Sequence, residues 1–79
     1  MMVANRKLDL RGEVCPYPQI YTLRELGKME VGQILEVITD HLPSIENVPA
    51  AVTKQGHEVL EVSKINAGVY KILIKKAKK

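Results

Sequence analysis

The sequence predicts an α+β fold: a two-layer α/β sandwich of βαβαββ order, with a four-stranded mixed sheet and two helices on one face. Three observations predict it. The spacing of apolar residues switches along the chain between a period near two and a period near 3.6. Each helical stretch lies between two alternating ones, which favours parallel strands joined by right-handed crossovers. The last two alternating stretches are separated only by a short turn, which makes an antiparallel hairpin. Two helices cannot cover both faces of four strands, so both are expected on one face, leaving the other more polar or free for contacts.

Each element has its own signal. "RKLDL" (6–10) alternates, with Leu8 and Leu10 on one side, and reads as a strand. A helix follows over about 17–27, where Ile20, Leu23 and Leu26 recur at near-helical spacing with Gln19, Thr22, Glu25 and Lys28 between them. Prolines in its first turn and Gly27 near its end fit the asymmetry of helix termini. "QILEVITD" (33–40) is rich in β-branched residues and reads as a strand. In the next segment Ile45, Val48 and Val52 form a helical stripe, with Ser44 as the expected N-cap. Pro49 conflicts with it, because an interior proline costs about 3 kcal/mol or breaks the helix. Either residues 43–47 form a separate turn before a helix over about 48–55, or one helix is kinked at Pro49. Gly56 ends it in both cases. "HEVLEVSKI" (57–65) reads as a strand, "NAG" (66–68) as a turn, and "VYKILIKK" (69–76) as the last strand. There Tyr70, Ile72 and Ile74 face one way, and Val69, Lys71, Leu73 and Lys75 the other.

With 79 residues the chain has room for one domain, 1–79, whose ends 1–5 and 76–79 are expected to fray. A chain this short buries only about 60% of its unfolded surface. No set of cysteines staples it, so its stability rests on an aliphatic core. The net charge is +3, but four lysines in the final "KKAKK" account for more than all of it, and the body without them is near neutral. That argues for a solvated basic tail rather than a nucleic-acid surface. No apolar run approaches the length of a membrane span, and the N-terminus has no secretory h-region. The expected location is cytoplasmic, where a lone cysteine stays reduced.

That cysteine is the informative residue. Cys15 lies in "RGEVCPYPQI", between the first strand and the first helix. A following proline excludes Cys15 from the α region, leaving it extended, as an N-cap residue is. A sulfur at a helix N-terminus sits at the positive end of the dipole, which favours thiolate. Of Pro16, Tyr17 and Pro18, only Tyr17 has an N–H. The thiolate would therefore be ionised but sparsely hydrogen-bonded, on a backbone stiffened by two prolines. No Cys-x-x-Cys exists, so internal dithiol cycling is excluded. His41 and His57 are dispersed and read as surface or strand-end residues, and one cysteine with two such histidines is a poor metal set. A single thiol without a resolving partner suits a carrier that accepts a group and hands it on, rather than a turnover enzyme.

These residues resemble the TusA family of sulfur carriers, also called SirA-like proteins. The signature is Cys15-Pro16-Tyr17-Pro18, supported by Leu8-Asp9, Gly12, Gly32, Asp40, Pro49 and Gly56-His57 across the stretch from Lys7 to about Lys76. "GEVCPYP" looks closer to the YedF-like and YeeD-like branches than to TusA itself. The resemblance implies the βαβαββ sandwich and a persulfide on Cys15, shaped by Pro16, Pro18 and Gly12. It implies a sulfur donor, either a cysteine desulfurase or a rhodanese, and an acceptor relay protein. In some members the sulfur goes toward 2-thiouridine in transfer RNA; some YedF-like and YeeD-like members are linked to thiosulfate or selenium metabolism. No cofactor or metal is implied.

Around the cysteine, Arg11 is the nearest candidate cation, and Glu13 either raises the thiol pKa by repulsion or points outward to a basic partner. Tyr17 is a candidate contact, and Asp40 reads as a cap or turn residue or a partner contact. Two other functions stay open. One is a non-catalytic RNA- or protein-binding module, since a similar sandwich occurs in the ribosome-binding domain of a bacterial translation initiation factor. The near-neutral body and the lack of an aromatic stacking platform disfavour nucleic acid. The other is a thiol-based redox regulator, which would need a partner's thiol. A monomer is the default expectation.

Overall fold

The computed structural model describes residues 4–14 and 17–78. The order is β1 (Arg6–Asp9), α1 (Tyr17–Gly27), β2 (Ile34–Thr39), α2 (Ser44–Lys54), β3 (Glu58–Asn66) and β4 (Val69–Lys75). The sheet order is β1-β2-β4-β3. β1 runs parallel to β2, with Leu8 opposite Val37, and β4 pairs antiparallel with both β2 and β3. The βαβαββ mixed sheet is therefore as the sequence predicts, and β4 returns between the two strands that α2 connects.

Period-two alternation sorts the sheet into two faces. Leu35, Val37, Ile72 and Ile74 are fully buried on one face, where they meet Leu26 of α1 and Val48 and Val52 of α2. Burying a side chain of this kind contributes about 1.5–3 kcal/mol. The opposite face carries the pairs Lys7–Glu36 (3.7 Å) and Lys71–Glu61 (3.5 Å). Exposed pairs like these add little stability but keep that face soluble. Leu73, also on this face, is nonetheless buried. The long edge strand β3 is interrupted at Val59/Glu61 and again at Lys64/Asn66. Such irregularities discourage pairing with another chain.

Two local expectations are corrected and one open alternative is decided. The buried stripe of α1 is Pro18, Thr22 and Leu26, whereas Ile20 is exposed. The i, i+4 spacing through Pro18 directs Thr22 inward, where its Oγ1 has no hydrogen-bond partner among the described residues. The N-cap of α2 is Pro43, not Ser44; Ser44 is buried in the first turn and lies 3.0 Å from His41 Nδ1 through its Oγ. Pro49 sits inside one helix rather than starting a second, and Gly56 ends that helix at φ +93°. At the inner edges of the ends expected to fray, Asn5 and Lys76 are both tied in. Asn5 exchanges hydrogen bonds with Ile34 through its backbone N–H and its side-chain oxygen, both at 2.8 Å. Lys76 is buried because it continues the 72–74–76 alternation on the helix-covered face. Among the described residues, no helix is long and apolar enough to cross a membrane.

Candidate functional site

Because β1 and β2 are parallel and in register, the loops that follow them leave the sheet at the same end. Leu10, buried, extends the pairing by donating its N–H to Ile38 O at 2.7 Å. The chain then turns: Glu13 N–H reaches back to Leu10 O at 3.1 Å. Gly12 takes φ +89°, a conformation that costs any residue with a Cβ. In that pose its N–H donates to Asp40 Oδ1 at 3.0 Å, across 28 residues of sequence. The carboxylate at the end of β2 thus fixes the loop that leads to Cys15.

A second carboxylate acts from β1. Arg11 forks onto Asp9, donating from Nε to Oδ1 at 3.0 Å and from Nη2 to Oδ2 at 2.8 Å, and its backbone N–H adds a bond of 3.1 Å. These hydrogen bonds hold the Asp9 carboxyl below its usual pKa and raise that of Arg11. The guanidinium is paired with the Asp9 carboxylate where it stands.

Cys15 and Pro16 lie outside the described residues. On their C-terminal side Tyr17 opens α1, and its N–H donates to Val14 O at 2.9 Å. That is the one amide in the Pro16-Tyr17-Pro18 run, and it is already engaged. Pro18 is buried under the first turn. The Tyr17 ring stacks on Tyr21 with centroids 6.1 Å apart, and the Arg24 guanidinium lies 5.9 Å from the Tyr21 centroid.

The segments flanking Cys15 are apolar and exposed. Val14 is 54% exposed, Tyr17 49%, Ile20 43% and, in the loop after β2, Leu42 59%. Among the sequence-predicted residues, Gly12 and Asp40 are in direct contact, Arg11 turns to Asp9, and Tyr17 lies in the exposed apolar group. Glu13 is partly buried, and its backbone N–H is engaged in the loop. His41 follows Asp40 and is tied to Ser44. His57 lies at the opposite end of the molecule. The Asp9–Arg11 fork was not anticipated, although its i, i+2 spacing after a strand is a detectable signal. Among the described residues no cluster of His, Cys, Asp and Glu is arranged to hold a metal.

The profile of the sulfurtransferase TusA family matches residues 6–76, all of the regular structure described above. The chain belongs to the TusA family. Its relatives include a candidate sulfur carrier of Archaeoglobus fulgidus, 51% identical over 92% of this chain and 83% of that protein. Another, from Thermotoga maritima, is 49% identical over 89% of both chains. YedF of Escherichia coli, also a candidate sulfur carrier, is 39% identical over 77% of this chain and 79% of its own. The crystal structure of a SirA-like protein from Desulfitobacterium hafniense superposes with a TM-score of 0.82 at 26% identity, covering 92% of this chain and 99% of that one.

Proposed function

We propose that this TusA-family chain works as a single-domain sulfur carrier that holds sulfane sulfur as a persulfide on Cys15. The observation that carries the reading is a family match that runs through Cys15-Pro16-Tyr17-Pro18 in a chain with no other thiol. In the loading step the Cys15 thiolate attacks the outer sulfur of a donor persulfide. The donor S–S bond breaks, its electron pair leaves on the donor cysteine, and a new S–S bond forms on Cys15. An acceptor thiolate then repeats the displacement on Cys15, so the relay has no net oxidation and needs no cofactor.

Three features of the site support this chemistry. The dipole of α1 favours an anion at its N-terminal end. Tyr17 N–H is taken by Val14 O, so the adjacent backbone offers few donors to quench the nucleophile. The Asp40–Gly12 bond limits the freedom of the loop that presents the sulfur. The exposed Val14, Tyr17, Ile20 and Leu42 suit transient docking of protein partners: a cysteine desulfurase or rhodanese as donor, and a relay protein as acceptor. Glu13 is positioned to tune which partners dock.

Intact-protein mass spectrometry tests the reading. The chain is incubated with a cysteine desulfurase and cysteine, or with a rhodanese and thiosulfate. The expected result is a gain of one sulfur atom, removed by reductant and absent in Cys15→Ser. No gain from either donor, with Cys15 still reacting with an alkylating agent, would overturn it in favour of redox regulation.

A further inference from the structure

At the end of the molecule opposite the Cys15 loop lies a cavity of about 210 Å3, lined by Leu23, Leu26, Gly27, Gln55, His57 and Lys76. The 11-residue α1 separates the two ends by about 16 Å. Lys76 is only 7% exposed. Its Nζ donates to Met29 O at 2.6 Å, just beyond the end of α1. Among the described residues no carboxylate lies within ion-pair distance of that ammonium. A buried ammonium with one carbonyl partner and two remaining N–H groups is expensive unless an anion or water meets it.

Several nearby carbonyls already accept a hydrogen bond. Gln55 N–H donates to the carbonyls of Ala51 and Val52, His57 N–H also to Val52 O and Gly56 N–H to Thr53 O, while Glu25 O and Leu26 O receive the N–H groups of Lys28 and Met29. His57 Nδ1 accepts the Ala77 N–H at 3.4 Å, which leaves the ring proton on Nε2 as a donor. Burial, and then the charge of Lys76, lower the His57 pKa, so the ring is neutral near pH 7. The polar lining therefore places the Lys76 ammonium, the His57 ring and the Gln55 amide, which can donate as well as accept, beside the partly buried Leu23 and the edge of the buried Leu26.

We propose that this cavity binds a small monocarboxylic acid, its carboxylate on Lys76 Nζ and its short apolar chain against Leu23 and Leu26. Lys76 is the one Lys or Arg among the lining residues, and a monoanion matches its single charge. The cavity is partly open to solvent, so a short chain of a few carbons can reach into it.

The test titrates the folded chain with hexanoate, using 1-hexanol as the neutral control, and follows backbone amide shifts. Hexanoate should give saturable shifts centred on Leu26, Gly27, Gln55 and His57, with 1-hexanol weaker by about tenfold or more. Lys76→Met should weaken hexanoate by a similar factor. Because loss of Lys76 could disturb folding, Gln55→Glu provides a second arm. It places a competing carboxylate at an exposed lining position and should also abolish hexanoate binding. Equal shifts from hexanoate and 1-hexanol, shifts centred on the Cys15 end, or unchanged binding in folded Gln55→Glu would each overturn the proposal.

Discussion

The two ends of α1 are built from opposite chemistry. At the end that bears Cys15, carboxylates hold amide and guanidinium donors: Asp40 takes Gly12 N–H, and Asp9 takes Arg11. At the far end an ammonium holds a carbonyl, Lys76 on Met29 O. The peptide dipole accounts for the difference at the helix itself, since its start presents spare N–H groups and its end spare C=O groups. The near end carries apolar side chains in solvent, and the far end carries a buried cation beside a partly open cavity. An open end with restrained loops suits a thiol that must meet several proteins. A buried cation beside a small cavity suits a small anion.

The comparison is broken most completely from the core that the two ends share. Val37→Ala should cost about 2–5 kcal/mol, a large part of a small domain's stability. Urea denaturation should show the folded population collapse and both ends lost together. Lys76→Met should act at the far end, costing about 1–3 kcal/mol by leaving Met29 O unpaired, which the urea midpoint will show. A variant of unchanged stability would mean that the Lys76–Met29 bond does not matter.

Asp40→Ala acts at the near end and frees a solvent-accessible N–H. Its stability cost should be about 1 kcal/mol or less, whereas sulfur loading of Cys15 should slow several-fold as the loop loosens. Asp40→Asn, which keeps the acceptor oxygen, should restore most of the rate. The smallest effect is a pH dependence. Burial lowers the His57 pKa below its ordinary 6.5. The unfolded chain therefore binds the proton more readily than the folded one as pH falls through 6.5 toward the folded value. Stability should decline over that window and recover as pH rises. The slope should diminish in His57→Gln, as measured by thermal unfolding at stepped pH.

Much of the fold was legible because single periodicities decide it. Alternation in 69–75 separates Ile72 and Ile74 from Lys71 and Lys75, and the structure keeps them on opposite faces. What was not legible depended on contacts distant in sequence or on phase within an element. Thr22 was read as polar and outward, but the stripe through Pro18 and Leu26 carries it inside. Lys76 was assigned to a solvated tail by its charge, although the alternation that predicted Ile72 and Ile74 extends to it. Ser44 looked like a cap by residue type, but the backbone turns one residue earlier, at Pro43. The pairing of Asp40 with Gly12 spans 28 residues and leaves no local trace. The cysteine motif was legible through its prolines, which restrict the backbone wherever they occur.

The most direct test of sulfur carriage is the handover. The chain is loaded with sulfur on Cys15, freed of its donor and mixed with a reduced relay protein bearing one reactive cysteine, and both masses are followed over time. The account predicts that this chain loses one sulfur atom as the acceptor gains one, with no sulfide released. Sulfur that stays on Cys15, or leaves as free sulfide while the acceptor is unchanged, would contradict it.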